Sequence, residues 1–261
     1  MKGPEIIRFK KYFSRYVRSF FSKDEEAQRN IILKIKHTFN VCKNIKAIAS
    51  DSISDTNGML LAETIALFHD IGRFKQYAKY KTFNDSLSVN HGLLGAEIIY
   101  KDAILICLPQ DEQDLIINCI RFHNSLLIPD NIDNNTLQYL KLIRDADKLD
   151  IWRIFAGYFD TTEKERASAA MLGLPDTRDF SKNLLSYIYE KRLIPLSEVK
   201  TINDFILMQL SWAYDINFKK TYQMLLNMGY FKRLIKKLPD TEEIKNATSF
   251  VIHYLESKAE N

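Results

Sequence analysis

Four of the five histidines, His37, His69, His91 and His123, are ordered ahead of Arg-Asp-Ala-Asp-Lys-Leu-Asp at 144–150, which contains Asp147, and His69 is followed directly by Asp70. Imidazole and carboxylate ligate ions such as Zn, Fe and Mn without help from thiolate. The company these residues keep is apolar. His37 shares a helical stripe with Leu33, Val41, Ile45 and Ile48, and His91 shares one with Leu94, Gly95 and Ile98. His123 falls with Ile116, Cys119 and Ile120, and Asp147 with Leu140, Ile143, Ile151 and Ile154. Burying such a group without a partner costs roughly 2–7 kcal/mol. A shared metal would satisfy all of them at once. Taken singly, each reads as a hydrogen-bonded core residue or a helix-end cap. The ordered set carries the metal reading.

The elements that must hold this set are helical. Ser22-Lys-Asp-Glu has the pattern of a capping box opening a helix that runs to about Ser50. A polar stretch, Ser50 to Gly58, separates it from a helix over about 60–68 that stops near Gly72. Residues 73–90 are polar, basic and aromatic with weak periodicity, and read as a loop with a short helical piece. Helices are expected over about 89–101, 110–123 and 135–158, then an irregular stretch to about Phe180, then four or five more helices. No strand pattern is visible, so the expected fold is all-α.

The chain has 261 residues, 46% hydrophobic and 27% charged, with 8 Gly and 6 Pro. These values describe a globular chain and argue against disorder, collagen and coiled-coil arrays. The net charge of +4 is too small to indicate a nucleic-acid partner by itself. Cys42, Cys107 and Cys119 are an odd number without CxxC spacing, which reads as reduced thiols. No secretion signal and no membrane-spanning run is visible, so the expectation is a soluble cytoplasmic protein. No Walker loop, dinucleotide fingerprint or nucleophile elbow is present.

His37, His69-Asp70 and Asp147 resemble the signature of the HD-domain metal-dependent phosphohydrolases. The wording around them is similar too: Leu-Phe-His-Asp-Ile-Gly-Arg at 67–73, Asn-His-Gly-Leu-Leu-Gly-Ala-Glu at 90–97 and Asp-Ala-Asp-Lys-Leu-Asp at 145–150. The resemblance spans about residues 25–160 and implies an all-α core with its ligands facing one cavity. By it, His37, His69, Asp70 and Asp147 hold one ion. His91 and His123 resemble the extra ligands of the binuclear branch, with Asp70 bridging. The implied chemistry is hydrolysis of a phosphomonoester or phosphodiester by metal-activated hydroxide, two ions about 3.5–4 Å apart clamping the phosphoryl group. Fe or Mn is the first expectation, with Mg, Ni and Zn also compatible. The implied partner is a small phosphorylated substrate, a nucleotide or a related molecule.

Arg73 is similar to the basic residue that contacts phosphate in related HD proteins, and its planar fork suits that task. Some family nucleotidases carry Glu there, so their mechanism does not transfer. Lys148, beside Asp147, is a candidate to neutralise phosphate charge, and Asp85 a weaker one for a general acid. Residues 74–83, with Lys75, Lys79, Lys81, Tyr77, Tyr80 and Phe83, read either as a lid over the substrate, Lys81 and Tyr77 contacting it, or as a packed loop. Three parts are expected: a basic and aromatic helix over 1–23 packed on the core, the metal-binding core over 24–160, and a helical extension over 161–261 within the same globule. Residues 216–238 hold six Lys/Arg and no acid, which reads as a solvated face. Two other functions stay open on the same residues. The ligand set also resembles the di-iron oxygenases of the myo-inositol oxygenase type, and a metal-stabilised, non-catalytic module binding nucleotide or RNA would need no turnover.

Overall fold

Asp24, Asp55, Asn90 and Asp133 precede four of the helices that carry the site, and each accepts a hydrogen bond from a first-turn amide. The structure, a computed structural model, describes residues 1–162 and 166–260. Its regular elements are all helical among those residues. The helices are α1 (Gly3–Arg18), α2 (Glu25–Ala49), α3 (Thr56–Phe68), α4 (Ile71–Tyr80), α5 (His91–Lys101), α6 (Gln110–Phe122), α7 (Asn134–Tyr158), α8 (Leu184–Tyr189), α9 (Ile202–Ser211), α10 (Lys219–Met228), α11 (Tyr230–Ile235) and α12 (Glu242–Glu260).

Three local expectations need correction. The cap of α2 is Asp24, whose Oδ1 accepts from the Ala27 amide at 2.7 Å, while Ser22 Oγ instead accepts from the Asp24 amide. The negative charge of Asp24 adds attraction to the helix dipole that a Ser hydroxyl lacks. Helix α3 begins at Thr56, earlier than expected, because Asp55 accepts from Gly58 N at 2.8 Å and turns the polar stretch into a first turn. Residues 71–80, read mostly as loop, are the helix α4. Ile71, Phe74 and Tyr77 bury one face at three-residue spacing, while Lys75 and Lys79 face out. The helix ends at Lys81, whose φ of 57° is left-handed.

The chain divides into two compact units. One is residues 1–150 with the returning segment that ends at Leu172; the other is Ile151–Thr162 with residue 173 onward. The division therefore falls inside α7, after Asp150, whereas the sequence reading set its boundaries at 23/24 and 160/161. Of the 161–261 segment, residues 163–165 and 261 lie outside the described residues.

In the first unit α1 lays Phe9 and Phe13 against Phe68 of α3, with ring centroids 5.8 and 6.5 Å apart, and leaves Arg8, Lys11, Arg15 and Arg18 exposed. Helix α2 packs along α3, and α4, α5 and α6 pack in sequence. The α4–α5 contact is unusually close. A Cβ on Gly72 would lie 2.3 Å from the His91 carbonyl oxygen and 2.9 Å from Gly95 N. Only a residue without a side chain fits there.

In the second unit the fully buried Trp152 packs on Phe231 at 5.2 Å and donates Nε1–H to the Gln209 carbonyl at 3.1 Å. Thr201 and Asp204 cap α9 reciprocally. The cationic residues of 216–238 include Arg233, paired with Asp160, and Lys237, over the Phe159 ring. All three cysteines are free thiols, and among the described residues no helix is long and apolar enough to cross a membrane.

Candidate metal centre

Each of the four imidazoles is held from behind by its Nδ1. His37 Nδ1 donates to Asp150 Oδ2 at 2.8 Å, and His91 Nδ1 to Asp85 Oδ2 at 2.7 Å. His69 and His123 sit at the C-termini of α3 and α6, where Nδ1 donates to the Ala66 and Ile120 carbonyls, both at 2.8 Å. With the proton committed to Nδ1, each Nε2 presents a lone pair. These lone pairs converge. His37 Nε2 lies 3.3 Å from His69 Nε2, and His91 Nε2 lies 3.0 Å from His123 Nε2.

Asp70, at the junction of α3 and α4, stands between the two pairs. Its Oδ2 is 3.5 Å from His37 Nε2 and 3.8 Å from His69 Nε2; its Oδ1 is 3.3 Å from His91 Nε2 and 4.0 Å from His123 Nε2. Asp147 Oδ1 closes the first group, 3.0 Å from His37 Nε2 and 3.8 Å from His69 Nε2. Two triads of metal-ligand type result, His37–His69–Asp70 and Asp70–His91–His123, all buried and sharing one carboxylate.

The donor set fits divalent cations. Two bare lone pairs at hydrogen-bond distance repel unless a cation or proton lies between them. With metal–nitrogen bonds of about 2.0–2.1 Å, two ligands at right or tetrahedral angles stand about 2.9–3.4 Å apart, which brackets both imidazole pairs. Asp147 Oδ1 points the same way, because its 3.0 Å approach to His37 Nε2 is favourable only with a proton or a cation between them.

The electrostatics agree. Burial pushes the pKa of His69, His91 and His123 down, that of His123 to about 3, so these rings are neutral and ligand-ready. For His37, burial and Lys34 act downward, but hydrogen bonds to Asp147 and Asp150 outweigh them and raise it to about 9, so without an ion its Nε2 carries a proton toward Asp147 that metal binding would displace. Burial acts upward on Asp70, yet Lys34, His69, His91 and Arg73 hold it well below the usual carboxylate range. Asp147 is likewise held low by His37 against its burial.

Two cations flank Asp70. Arg73 Nε lies 3.5 Å from Asp70 Oδ1 without a hydrogen-bond partner, while its Nη1 donates to Gln76, the Phe83 carbonyl and Asp85. Lys34 Nζ, which the sequence reading missed, donates to Asp70 Oδ2 at 2.8 Å. Both cations lie over the Phe83 ring, at 5.9 and 5.1 Å from its centroid. Lys34 was legible only as the residue three before His37, on the same face of α2.

The remaining candidates have other neighbours beside them. Lys148 is buried, with Nζ 3.5 Å from the Arg144 carbonyl one turn back. Tyr77 packs with Ala27, Phe83 and Ala169, and its hydroxyl accepts from Asn30 at 3.0 Å. Lys81 is exposed, its ammonium over the Tyr77 ring. Among the described contacts neither Tyr77 nor Lys81 touches an imidazole or Asp70. Asp85 is held as a carboxylate: burial acts upward but His91, Arg73 and Gln76 outweigh it, which makes it a poor proton donor. Asp150, which the sequence pattern does not single out, orients His37 through Nδ1.

An all-helical frame that brings two buried His/Asp triads onto one shared carboxylate defines a candidate divalent-metal centre. The HD domain family model matches residues 35–152, a span that contains all six ligand candidates together with Asp85 and Asp150. Helices α8–α12 lie outside the match. A crystal structure of a predicted HD superfamily hydrolase from an uncultured Thermotogales bacterium is similar at 26% identity, over 61% of this chain and 82% of that one, with a TM-score of 0.39. No curated protein matches the chain.

Proposed function

We propose that this protein is a metal-dependent phosphohydrolase acting on a phosphomonoester or phosphodiester, a nucleotide or related small molecule. The observation that carries the reading is the pair of triads on Asp70 with two cations, Arg73 and Lys34, against the same carboxylate. Ions at such a site supply Lewis-acid polarisation of a phosphoryl oxygen and lower the pKa of water. In this reading His37, His69, Asp70 and Asp147 hold one divalent ion and Asp70, His91 and His123 a second, with Fe or Mn preferred and Mg, Ni and Zn compatible with the donors.

The chain's own residues then divide the work. Asp150, Asp85 and the Ala66 and Ile120 carbonyls hold a ring proton on each Nδ1 and aim each Nε2 at the ion site. Arg73 offers its unpartnered Nε and remaining guanidinium edge to a phosphate oxygen, and Lys34 offsets charge where the anion meets Asp70. Two cations at this place support an anionic substrate, which favours the phosphate reading over a di-iron oxygenase acting on a neutral one.

The test is phosphate release from nucleotides, sugar phosphates and a generic aryl phosphodiester, with Mn²⁺ or Fe²⁺ added and Asp70→Ala as control. Turnover that falls to background in Asp70→Ala, together with loss of bound metal and an unchanged helical circular dichroism spectrum, is the expected result. Turnover retained in that variant would sink the reading. No release from any substrate with metal bound would move it to oxygen chemistry, for which oxygen uptake is the next assay.

A further inference from the structure

We propose that Asp85 couples anion capture to metal capture in the His91–His123 half of the site, by holding a phosphate-facing arginine and a ligating histidine on one carboxylate. The inference rests on the reading of the site as a metal centre for phosphate esters and assigns a positioning residue within it.

Asp85 lies on the short 3-10 turn Asp85–Leu87 between α4 and α5. Its two oxygens have separate duties. Oδ1 accepts from Arg73 Nη1 at 2.7 Å and Gln76 Nε2 at 2.8 Å. Oδ2 accepts from His91 Nδ1 at 2.7 Å and Asn124 Nδ2 at 3.0 Å. Four donors on one carboxylate leave it no spare direction. Arg73 is held at its far end by Asp85, Gln76 and the Phe83 carbonyl, which leaves Nε toward Asp70. The same carboxylate sets which His91 nitrogen carries the proton. Movement of Arg73 toward an anion therefore acts on the acceptor that keeps His91 ligand-ready.

Asp85→Asn exposes this arrangement because an amide cannot accept on both sides. If its NH₂ faces Arg73, two donors oppose one another and the guanidinium is released. If its NH₂ faces His91, Nδ1 must become an acceptor, the proton moves to Nε2, and that nitrogen closes to metal. Either orientation damages one arm.

The experiment is equilibrium dialysis of the full chain against Mn²⁺ with metal content measured, followed by titration of inorganic phosphate into the loaded protein. Wild type, Asp85→Asn and Asp85→Glu are compared. The expected result is that Asp85→Asn keeps one ion at wild-type affinity and, according to which way the amide faces, binds either the second ion roughly 10–100-fold more weakly or phosphate at least about tenfold more weakly. Coupling is reciprocal, so phosphate should tighten the second Mn²⁺ in wild type and fail to do so in Asp85→Asn. A residue that merely supported the fold would not remove that linkage. Asp85→Glu keeps the charge on a longer arm and should fall between the two. If Asp85→Asn folds and retains both ions and the phosphate linkage, the proposal is overturned; if it does not fold, an Asp85→Glu profile identical to wild type overturns it. Wild-type protein that never takes up a second ion overturns the two-ion reading of the site, and this inference with it.

Discussion

The His37–His69 half and the His91–His123 half of the centre present the same donors but are backed differently. In the first, Asp150 orients His37 from α7, one turn beyond Asp147, and is 1% exposed. In the second, Asp85 orients His91 from a three-residue turn between helices, with its side chain 28% exposed. One half is thus backed by a buried helix, the other by a surface turn that also holds Arg73. The comparison teaches that equal ligand sets need not respond equally to their surroundings. The deep half is set by packing, and the shallow half can feel what binds beside it.

The sharpest way to break this comparison is Asp150→Asn. Loss of a carboxylate behind a ligating imidazole lowers metal affinity about 10–100-fold, and the loss should be confined to the first half. Metal-binding isotherms in which both halves weaken equally would show that the two are not independently anchored.

A pH series on metal-free protein sharpens it further. His69, His91 and His123 have lowered pKa values, so the unfolded chain binds protons that the native one refuses, and stability should fall as pH drops below about 6.5. The depressed carboxylates Asp70, Asp85 and Asp147 contribute stability above their unfolded values that is lost at still lower pH. His37 is raised to about 9, so its contribution is complete below its ordinary value near 6.5 and is lost as pH rises through about 9. Thermal unfolding of metal-free protein should therefore peak near pH 6.5. Asp150→Asn removes a partner of protonated His37 and should flatten the alkaline limb alone. An unchanged alkaline limb would mean that His37 is not its source.

The smallest expected effect is that of Tyr77→Phe. It removes the hydroxyl that accepts from Asn30, at a cost of about 1 kcal/mol in thermal or denaturant unfolding. Turnover of any substrate found should not change. A raised KM in this variant would make Tyr77 a substrate contact.

Some of this was legible in the sequence for a physical reason. His37, His91, His123 and Asp147 each interrupt an apolar helical face, and an interruption of that kind is visible in one dimension. Helix α4 was not legible, because Arg73, Lys75, Lys79 and Lys81 crowd its short amphipathic pattern and only packing shows that Ile71, Phe74 and Tyr77 lie inward. The cap of α2 was ambiguous, since Ser22 and Asp24 are both cap formers and the first helical residue decides between them. Lys34, Asp85 and Asp150 act through space. Asp85 meets Asn124 across 39 positions and Asp150 meets His37 across 113, and no local pattern announces such pairs.

The contact of Gly72 with the His91 backbone has a consequence for how this sequence can drift. The spacing of α4 from α5 at that point is set by main chain on main chain, with no side chain in between. Substitutions on the outer faces of the two helices, at Lys75, Lys79, Leu93 or Glu97, have no lever on that gap. Changes on those outer faces leave the height of His91 above Asp70 as it is, so long as position 72 stays glycine.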